Sequence, residues 1–125
     1  MPDVFMWVDK EMGDNPDFVA DAQLTATKVV CDQPGVTIDH SGCWPRIIPT
    51  IGTPNITIQF VAHYSDGDGR TEQWEHKVAA GLAPAIGAVV EKHYPGRKIG
   101  VSVDSTRLPF GPAASYYKTK DDSSP

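Results

Sequence analysis

The chain has 125 residues, 40% of them hydrophobic and 22% charged, a composition that predicts one folded globular domain and excludes a disordered body. Sixteen acidic residues against eleven basic ones give a net charge of -5. No Lys/Arg cluster is present to contact phosphates, so nucleic acid is not an expected partner. The sequence has neither an apolar run of membrane-spanning length nor a signal-peptide pattern at its start, and we therefore expect no membrane association and a cytoplasmic location.

The first half of the chain predicts a strand, a helix and a second strand. The strand follows Pro2 as a β-favouring run over residues 3–8. A helix is predicted from Asn15, its N-cap, to about Asp32, because Pro16 suits the first helical position. Its apolar face comprises Phe18, Val19, Ala22, Ala26, Val29 and Val30. Pro34-Gly35 ends it, a strand is predicted over Val36 to Asp39, and residues 41–52 are expected to form an ordered connector.

The second half repeats this order of elements. A strand is predicted over residues 54–61, and a second helix is expected to begin at Thr71, its N-cap. The buried stripe of that helix is predicted to be Trp74, Val78, Leu82, Ile86, Val89 and Val90. Pro84 lies inside the pattern and predicts a kink or a break. Pro95-Gly96 ends the helix, and the last strand is predicted over Lys98 to Asp104.

The two halves form an internal repeat with an offset of 52 residues, since residues 1–8 align with residues 53–60. Each half is a β-α-β unit. The predicted fold class is α/β: two β-α-β repeats form a four-stranded mixed sheet that two helices cover on one face. We predict a single domain over residues 1–117, with repeats at 1–52 and 53–117, and a flexible polar tail over 118–125. Residues 108–117 are expected to form an edge hairpin or to reach a neighbouring subunit.

This pattern resembles the tautomerase superfamily. Two β-α-β repeats are each led by a proline, Pro2 and Pro54, and Gly69-Arg70-Thr71 is similar to the loop that opens a helix in 4-oxalocrotonate tautomerase. The resemblance covers roughly residues 1–104. The length of the fused repeats is closer to that of macrophage migration inhibitory factor and of the cis-3-chloroacrylate dehalogenase-like group than to that of the single-repeat tautomerases.

The resemblance implies an isomerase that acts on a small enol or keto acid, with hydratase and dehalogenase chemistry as variants. If Met1 is removed, Pro2 carries a free secondary amine and acts as the general base, whereas a retained Met1 would acylate that nitrogen. Burial in an apolar pocket would keep the amine neutral, because desolvation disfavours the ammonium form. The resemblance also implies that Arg70 binds a substrate carboxylate, and that no cofactor is needed.

Three further residues are candidates for substrate binding: Arg97, which stands before the last strand, Trp7, which would exclude water, and His63, which would polarise a carbonyl. The apolar residues at both parities of the strands predict that the uncovered sheet face closes in a homo-oligomer, and the resemblance favours a trimer.

Structural interpretations of the same residues stay open. Pro2 is also an ordinary strand-start residue, and Arg70 is also a surface charge paired with Asp66 or Asp68. His40, Cys43 and His63 make only an incomplete zinc set, so no metal is expected. Cys31 and Cys43 are expected to stay reduced, because chains without a secretory leader seldom form disulfides.

Two other functions fit the same pattern. One is a non-catalytic ferredoxin-like module that binds a small molecule or assembles with partners. In that case substitution of Pro2 or Arg70 would have no effect on function. The other is a haem- or oxygen-handling dimer on a similar scaffold, which would be coloured when purified.

Overall fold

The fold consists of a four-stranded sheet and three helices in the computed structural model, which describes residues 2–36, 38–52, 54–63 and 69–107. The strands are β1 (Asp3–Asp9), β2 (Arg46–Thr50), β3 (Ile56–Ala62) and β4 (Val101–Arg107). The helices are α1 (Lys10–Gly13), α2 (Pro16–Cys31) and α3 (Glu72–His93).

The strand order in the sheet is β2-β1-β3-β4. Strands β1 and β2 are parallel, and α2 lies between them in the chain. Strands β3 and β4 are likewise parallel, with α3 between them in the chain. The two units meet through the antiparallel pair β1 and β3. The predicted architecture, two β-α-β repeats in one mixed sheet, is therefore confirmed.

Both long helices begin where the sequence predicts. The side chain of Asn15 accepts hydrogen bonds from the backbone N–H groups of Asp17 and Phe18 at 3.1 and 3.2 Å. The Thr71 hydroxyl accepts one from the N–H of Trp74 at 3.3 Å. Each cap satisfies N–H groups that have no partner inside the helix.

The core lies between one face of the sheet and the helices. Alternate residues of β1 and β3 point into it, as the period of two along a strand requires. The fully buried strand residues are Val4, Met6, Val8, Ile56, Ile58, Phe60 and Ala62. All six predicted core positions of α3 are buried, whereas α2 buries four of its predicted six, with Val19 and Val29 partly exposed.

Trp74 joins the two repeats inside this core. Its ring packs edge-on against Phe60 with centroids 5.3 Å apart. Its indole N–H donates to the carbonyl of Val30 at 3.1 Å. That carbonyl lies in the last turn of α2, where it has no partner within the helix. The contact thus satisfies a buried polar group and fixes α3 against α2.

The opposite face of the sheet is not covered by a helix. Phe5 and Trp7 lie on it with ring centroids 6.1 Å apart, and both are partly exposed. Ile48 pairs with Trp7 in the register, and Val61 pairs with Asp3, so both share this face. We call the surface formed by Phe5, Trp7, Ile48 and Val61 the open apolar face.

The predicted second strand was wrong. Val36, Ile38 and Asp39, the described residues of that segment, do not belong to a strand, and the Asp39 side chain instead caps a 3-10 turn at His40–Gly42. The strand β2 lies within the predicted connector, at Arg46–Thr50. It is an edge strand, which tolerates Pro49 because only one of its sides pairs with a neighbour.

Two further boundaries differ from the predictions. Strand β4 begins at Val101 rather than Lys98. The N–H of Gly100 donates to the Asn55 side chain at 3.0 Å, and the pairing with β3 begins one residue later, at Val101. Helix α3 continues through Pro84, so the break that was predicted as one possibility is absent. Pro84 and Ala80 are exposed, and water can therefore satisfy the carbonyl that the proline leaves free.

Some predictions fall on residues outside those that the structure describes. They concern Asp66 and Asp68, the proposed hairpin at 108–117 and the tail at 118–125. No helix in the described ranges is long and apolar enough to cross a membrane. Cys31 and Cys43 are buried free thiols, as expected.

Candidate functional site at the Pro2 end of the sheet

The topology gathers charged residues from both repeats at one end of the sheet. Because β1 and β3 are antiparallel, the start of β1 lies beside the end of β3. The parallel pairings bring the start of β2 and the end of β4 to the same end of the sheet. We call this region the Pro2 end.

Pro2 itself is buried at the entrance to β1. Asp3 pairs with Val61, and continuing this antiparallel register by one residue sets Pro2 opposite Ala62. His63 follows directly after β3, and its side chain contacts Asp3, the residue next to Pro2. A proline costs the ladder nothing here, since the first residue of a strand need not donate.

Asp3 links two positively charged or titratable side chains across the sheet. One carboxylate oxygen, Oδ2, lies 3.4 Å from Nε2 of His63. The other, Oδ1, lies 3.5 Å from Nη1 of Arg46. The Arg46 guanidinium also stacks over the ring of Phe5, 5.1 Å from its centroid. Asp3 lies in β1, Arg46 in β2 and His63 directly after β3. The pairing of these strands brings the three side chains together.

The environment of His63 favours its neutral form. Partial burial lowers the pKa of His63, and nearby positive charge, including that of Arg70, lowers it further. The hydrogen bond and the charge of Asp3 act in the opposite direction but do not outweigh these effects. A neutral imidazole donates through one nitrogen and accepts through the other.

Arg70 reaches this end of the sheet because of a glycine. Gly69 has φ +81°, a conformation that favours glycine, and a Cβ at this position would overlap the carbonyl oxygen of Gly35. The loop before α3 therefore packs against the turn that follows α2. Arg70 is half-buried, and its charge acts on His63.

A buried carboxylate also lies in the first turn of α3. Glu75 is 4% exposed, and its carboxylate lies 3.5 Å from Nε of Arg107 at the end of β4. A second nitrogen of Arg107 lies 3.5 Å from Glu72, which is exposed. Arg107 pairs with Ala62 in the register, so this ion pair belongs to the same end of the sheet as Pro2.

The structure does not bring Arg97 or Trp7 close to Pro2 within one chain. Arg97 makes a two-pronged pair with Glu11, at 2.9 and 3.1 Å, and stacks on Tyr94. Glu11 follows the far end of β1, about 20 Å along the strand from Asp3. Trp7 is five residues from Pro2 and lies on the open apolar face.

The two histidines of the incomplete zinc set have carboxylate partners. His40 contacts Asp32 at 2.6 Å, and His63 contacts Asp3. Burial raises the pKa of the Cys31 thiol and raises that of Cys43 to about 12, so both stay protonated at neutral pH. Among the described residues, no three His, Cys, Asp or Glu side chains form a group that would hold a metal ion.

Sequence reasoning missed Asp3 and Glu75. A signal for Glu75 was present, because it falls three and seven residues before Val78 and Leu82 on the buried stripe of α3. An acidic residue at such a position is seldom buried without a partner. Asp3 carried no comparable signal, since a polar residue at a strand entrance is ordinary.

Comparisons with known proteins define the class of fold. No family model matches the chain. No curated protein matches its sequence either. Solved structures do match, and an isomerase, a fused 4-OT and a member of a dehalogenase family each align with this chain over most of their own length.

A 5-carboxymethyl-2-hydroxymuconate isomerase from Deinococcus radiodurans R1 is 12% identical, with a TM-score of 0.62 over 97% of this chain and 91% of that one. A fused 4-OT, solved as an asymmetric trimer, is 17% identical, with a TM-score of 0.57 over 84% and 86%. N1, a member of the cis-3-chloroacrylic acid dehalogenase family, is 15% identical, with a TM-score of 0.58 over 93% and 81%. The chain has the fold of the tautomerase superfamily, and the resemblance inferred from the sequence is confirmed at that level.

Proposed function

We propose that this protein is a tautomerase or isomerase-type enzyme that acts on a small enol or keto acid, with Pro2 as the general base after removal of Met1. The observation that carries the proposal is the burial of Pro2 at the end of the sheet where His63 and Arg70 also lie. The similar structures include isomerases and a member of a dehalogenase family, and they support this general kind of chemistry.

The chemistry of an amino-terminal proline suits proton transfer at neutral pH. An α-amino group has a reference pKa of about 7.7 to 8.0, and burial beside positive charge lowers such a value. The neutral amine accepts a proton from the carbon next to a carbonyl and returns it at another position. These proton transfers need no metal and no cofactor.

The substrate is proposed to carry a carboxylate that Arg70 binds, since the planar guanidinium pairs with both carboxylate oxygens. His63 completes the polar part of the site. Arg97 and Trp7 are proposed to contribute to substrate binding only from a neighbouring copy, because both lie far from Pro2 within one chain.

Assembly through the open apolar face is part of the proposal, with a trimer as the favoured state. Partly exposed aromatic and aliphatic side chains cluster there, and contiguous apolar surface of this kind marks an interaction site. Two of the similar fused 4-OT structures were solved as asymmetric trimers. A cytoplasmic location is proposed alongside, in keeping with two cysteines that are not disulfide-linked.

The first measurement is the intact mass of the untagged protein, which reports whether Met1 has been removed. Activity is then screened on enol-pyruvates and 2-hydroxydienoic acids with wild type, Pro2→Ala and Pro54→Ala. Pro54 opens the other repeat and is exposed, so it is the matched control.

We expect Met1 to be absent, Pro54→Ala to be active, and Pro2→Ala to lose about 10² to 10⁴ in kcat/KM, the range for a general acid or base. Retention of Met1 in the active protein, or equal rates in the two variants, would exclude the proline mechanism. A non-catalytic binding module would then become the better interpretation.

A further inference from the structure

The geometry points to Asp3 as a positioning residue that orients His63, so that the free ring nitrogen of His63 selects ligands bearing a hydroxyl group. The inference rests on the proposed function for its substrate class, a small acid bound at the Pro2 end. It adds a specificity determinant, the Asp3–His63 pair, to that site.

The contact with Asp3 sets the tautomer of neutral His63. An ionised carboxylate only accepts hydrogen bonds, so the contact between Asp3 Oδ2 and His63 Nε2 at 3.4 Å requires the proton to be on Nε2. The hydrogen bond at one ring nitrogen decides the role of the other. In neutral His63, Nδ1 is therefore an acceptor.

Asp3 is in turn held by Arg46. Arg46 engages Oδ1 at 3.5 Å and is itself stacked on Phe5, so both carboxylate oxygens have partners. These two contacts orient the carboxylate of Asp3 toward His63. Arg46 is the anchor of the pair, and Asp3 transmits that anchoring to the ring.

Nδ1 is the ring nitrogen of His63 that a ligand would contact. His63 is 31% exposed at its side chain, and within the described ranges no protein group hydrogen-bonds to Nδ1. The charged groups that act on the ring are the chain's amino terminus, Asp3 from β1 and Arg70 from the loop before α3, and Arg46 from β2 contacts the other oxygen of Asp3. None of them obliges Nδ1 to carry a proton at neutral pH.

An acceptor at this position discriminates between two forms of a small acid. The hydroxyl of an enol donates to Nδ1, whereas a carbonyl oxygen only accepts and would leave Nδ1 without a partner. The carboxylate common to both forms would bind at Arg70. The pair Asp3–His63 therefore favours hydroxyl-bearing acids over otherwise identical acids that lack the donor.

The tautomer is read by long-range ¹H–¹⁵N correlation NMR of histidine-labelled protein, in wild type, Asp3→Ala and Asp32→Ala. Asp32 pairs with the exposed His40 at 2.6 Å and supplies a matched aspartate–histidine control. We expect His63 of the wild type to carry its proton on Nε2. Asp3→Ala is expected to give a mixture of tautomers and a lower His63 pKa, and Asp32→Ala to leave His63 unchanged.

Recognition is measured as the ratio of affinities for 4-hydroxybenzoate and benzoate, two acids that differ only in the hydroxyl. We expect a preference for 4-hydroxybenzoate of about three- to tenfold, the range of one neutral hydrogen bond. His63→Phe should abolish the preference. Asp3→Ala should reduce it, and Asp32→Ala should retain it.

An Nδ1–H tautomer in the wild type, equal affinity for the two acids, or binding of neither would overturn the inference. Its failure is distinguishable from failure of the proposed function. A protein with no turnover that keeps the Nε2–H tautomer and the hydroxyl preference would contradict the function and support the pair. Turnover that depends on Pro2 without any hydroxyl preference would do the reverse.

Discussion

Gly69 packs directly on the backbone of Gly35, so that the loop before α3 rests against the turn after α2. The two glycines belong to different repeats, 34 positions apart in the sequence. Both have positive φ angles of about 80°. This contact fixes the backbone position of Gly69 and therefore that of the adjacent Arg70. The position of a proposed substrate-binding residue thus depends on the first repeat.

Gly69→Ala is therefore expected to destabilise the protein and to displace Arg70. Strain at a positive φ costs about 1 to 3 kcal/mol, and the overlap with the Gly35 carbonyl adds to it. Gly87→Ala is the control, because a Cβ at Gly87 in α3 meets no atom within 4 Å and alanine favours the helix. Urea unfolding should show a loss for the first variant and a gain of about 0.5 to 1 kcal/mol for the second. Equal stability of the two would contradict the packing.

Trp74→Phe is expected to cost about 1 to 3 kcal/mol, because it leaves the buried carbonyl of Val30 without a donor. Trp44→Phe is a close control. Trp44 also donates from its indole to a backbone carbonyl, that of Ser41 at 2.9 Å, but it is 69% exposed. Its replacement should change the free energy of unfolding by less than about 0.5 kcal/mol. Similar losses in the two variants would show that burial of the Trp74 contact is not what matters.

The pH dependence of stability should reflect Asp21. Hydrogen bonds from His93 and Lys92, both at 2.9 Å, lower the pKa of its carboxyl in the folded state. A lowered folded pKa means that the stabilisation is present above the unfolded pKa, about 3.9, and is lost as the pH falls through the folded value. Asp21→Asn should thus be less stable than wild type at pH 7, and the difference should shrink below about pH 4.

Urea unfolding of wild type and Asp21→Asn between pH 2 and pH 7 measures this difference. Asp104→Asn, at an exposed position of β4, serves as the control and should track the wild type. A constant gap between wild type and Asp21→Asn across the whole pH range would rule out the linkage to Asp21.

The open apolar face should control assembly. Trp7→Asp puts a charge among Phe5, Ile48 and Val61, and burying an unpaired charge in an interface is costly. We expect the wild type to elute as an oligomer, with a trimer favoured, and Trp7→Asp to be a folded monomer by light scattering and circular dichroism. Leu24→Asp, 51% exposed on α2, tests whether any exposed apolar residue has the same effect. An unchanged mass for Trp7→Asp would place the interface elsewhere.

The repeat and the helix ends could be predicted from the sequence because their signals are local. Asn15 and Thr71 carry side chains that cap the next few N–H groups, and these caps need no distant partner. The buried stripe of α3 followed from a period of 3.6 residues. The resemblance to the tautomerase superfamily rested on the same repeated order of elements and therefore needed no tertiary information.

The second strand could not be placed in this way. Val36 to Asp39 and Arg46–Thr50 are both short and weakly patterned, and each fits a strand equally well. The choice depends on which segment reaches β1 in register, with Trp7 opposite Ile48 and Val8 opposite Pro49. That is a tertiary constraint, and no local propensity encodes it.

The candidate site likewise has a part that the sequence suggested and a part that depends on tertiary structure. The sequence by itself suggested Pro2 and Arg70 through the resemblance to the tautomerase superfamily, and His63 through its place after a strand. Only the tertiary structure joined His63 to Asp3 across 60 residues, set Glu75 against Arg107, and left Arg97 at the opposite end of β1. The physical reason is that helices and caps depend on neighbours within four residues, whereas contacts between strands depend on register, which the packing of the whole sheet decides.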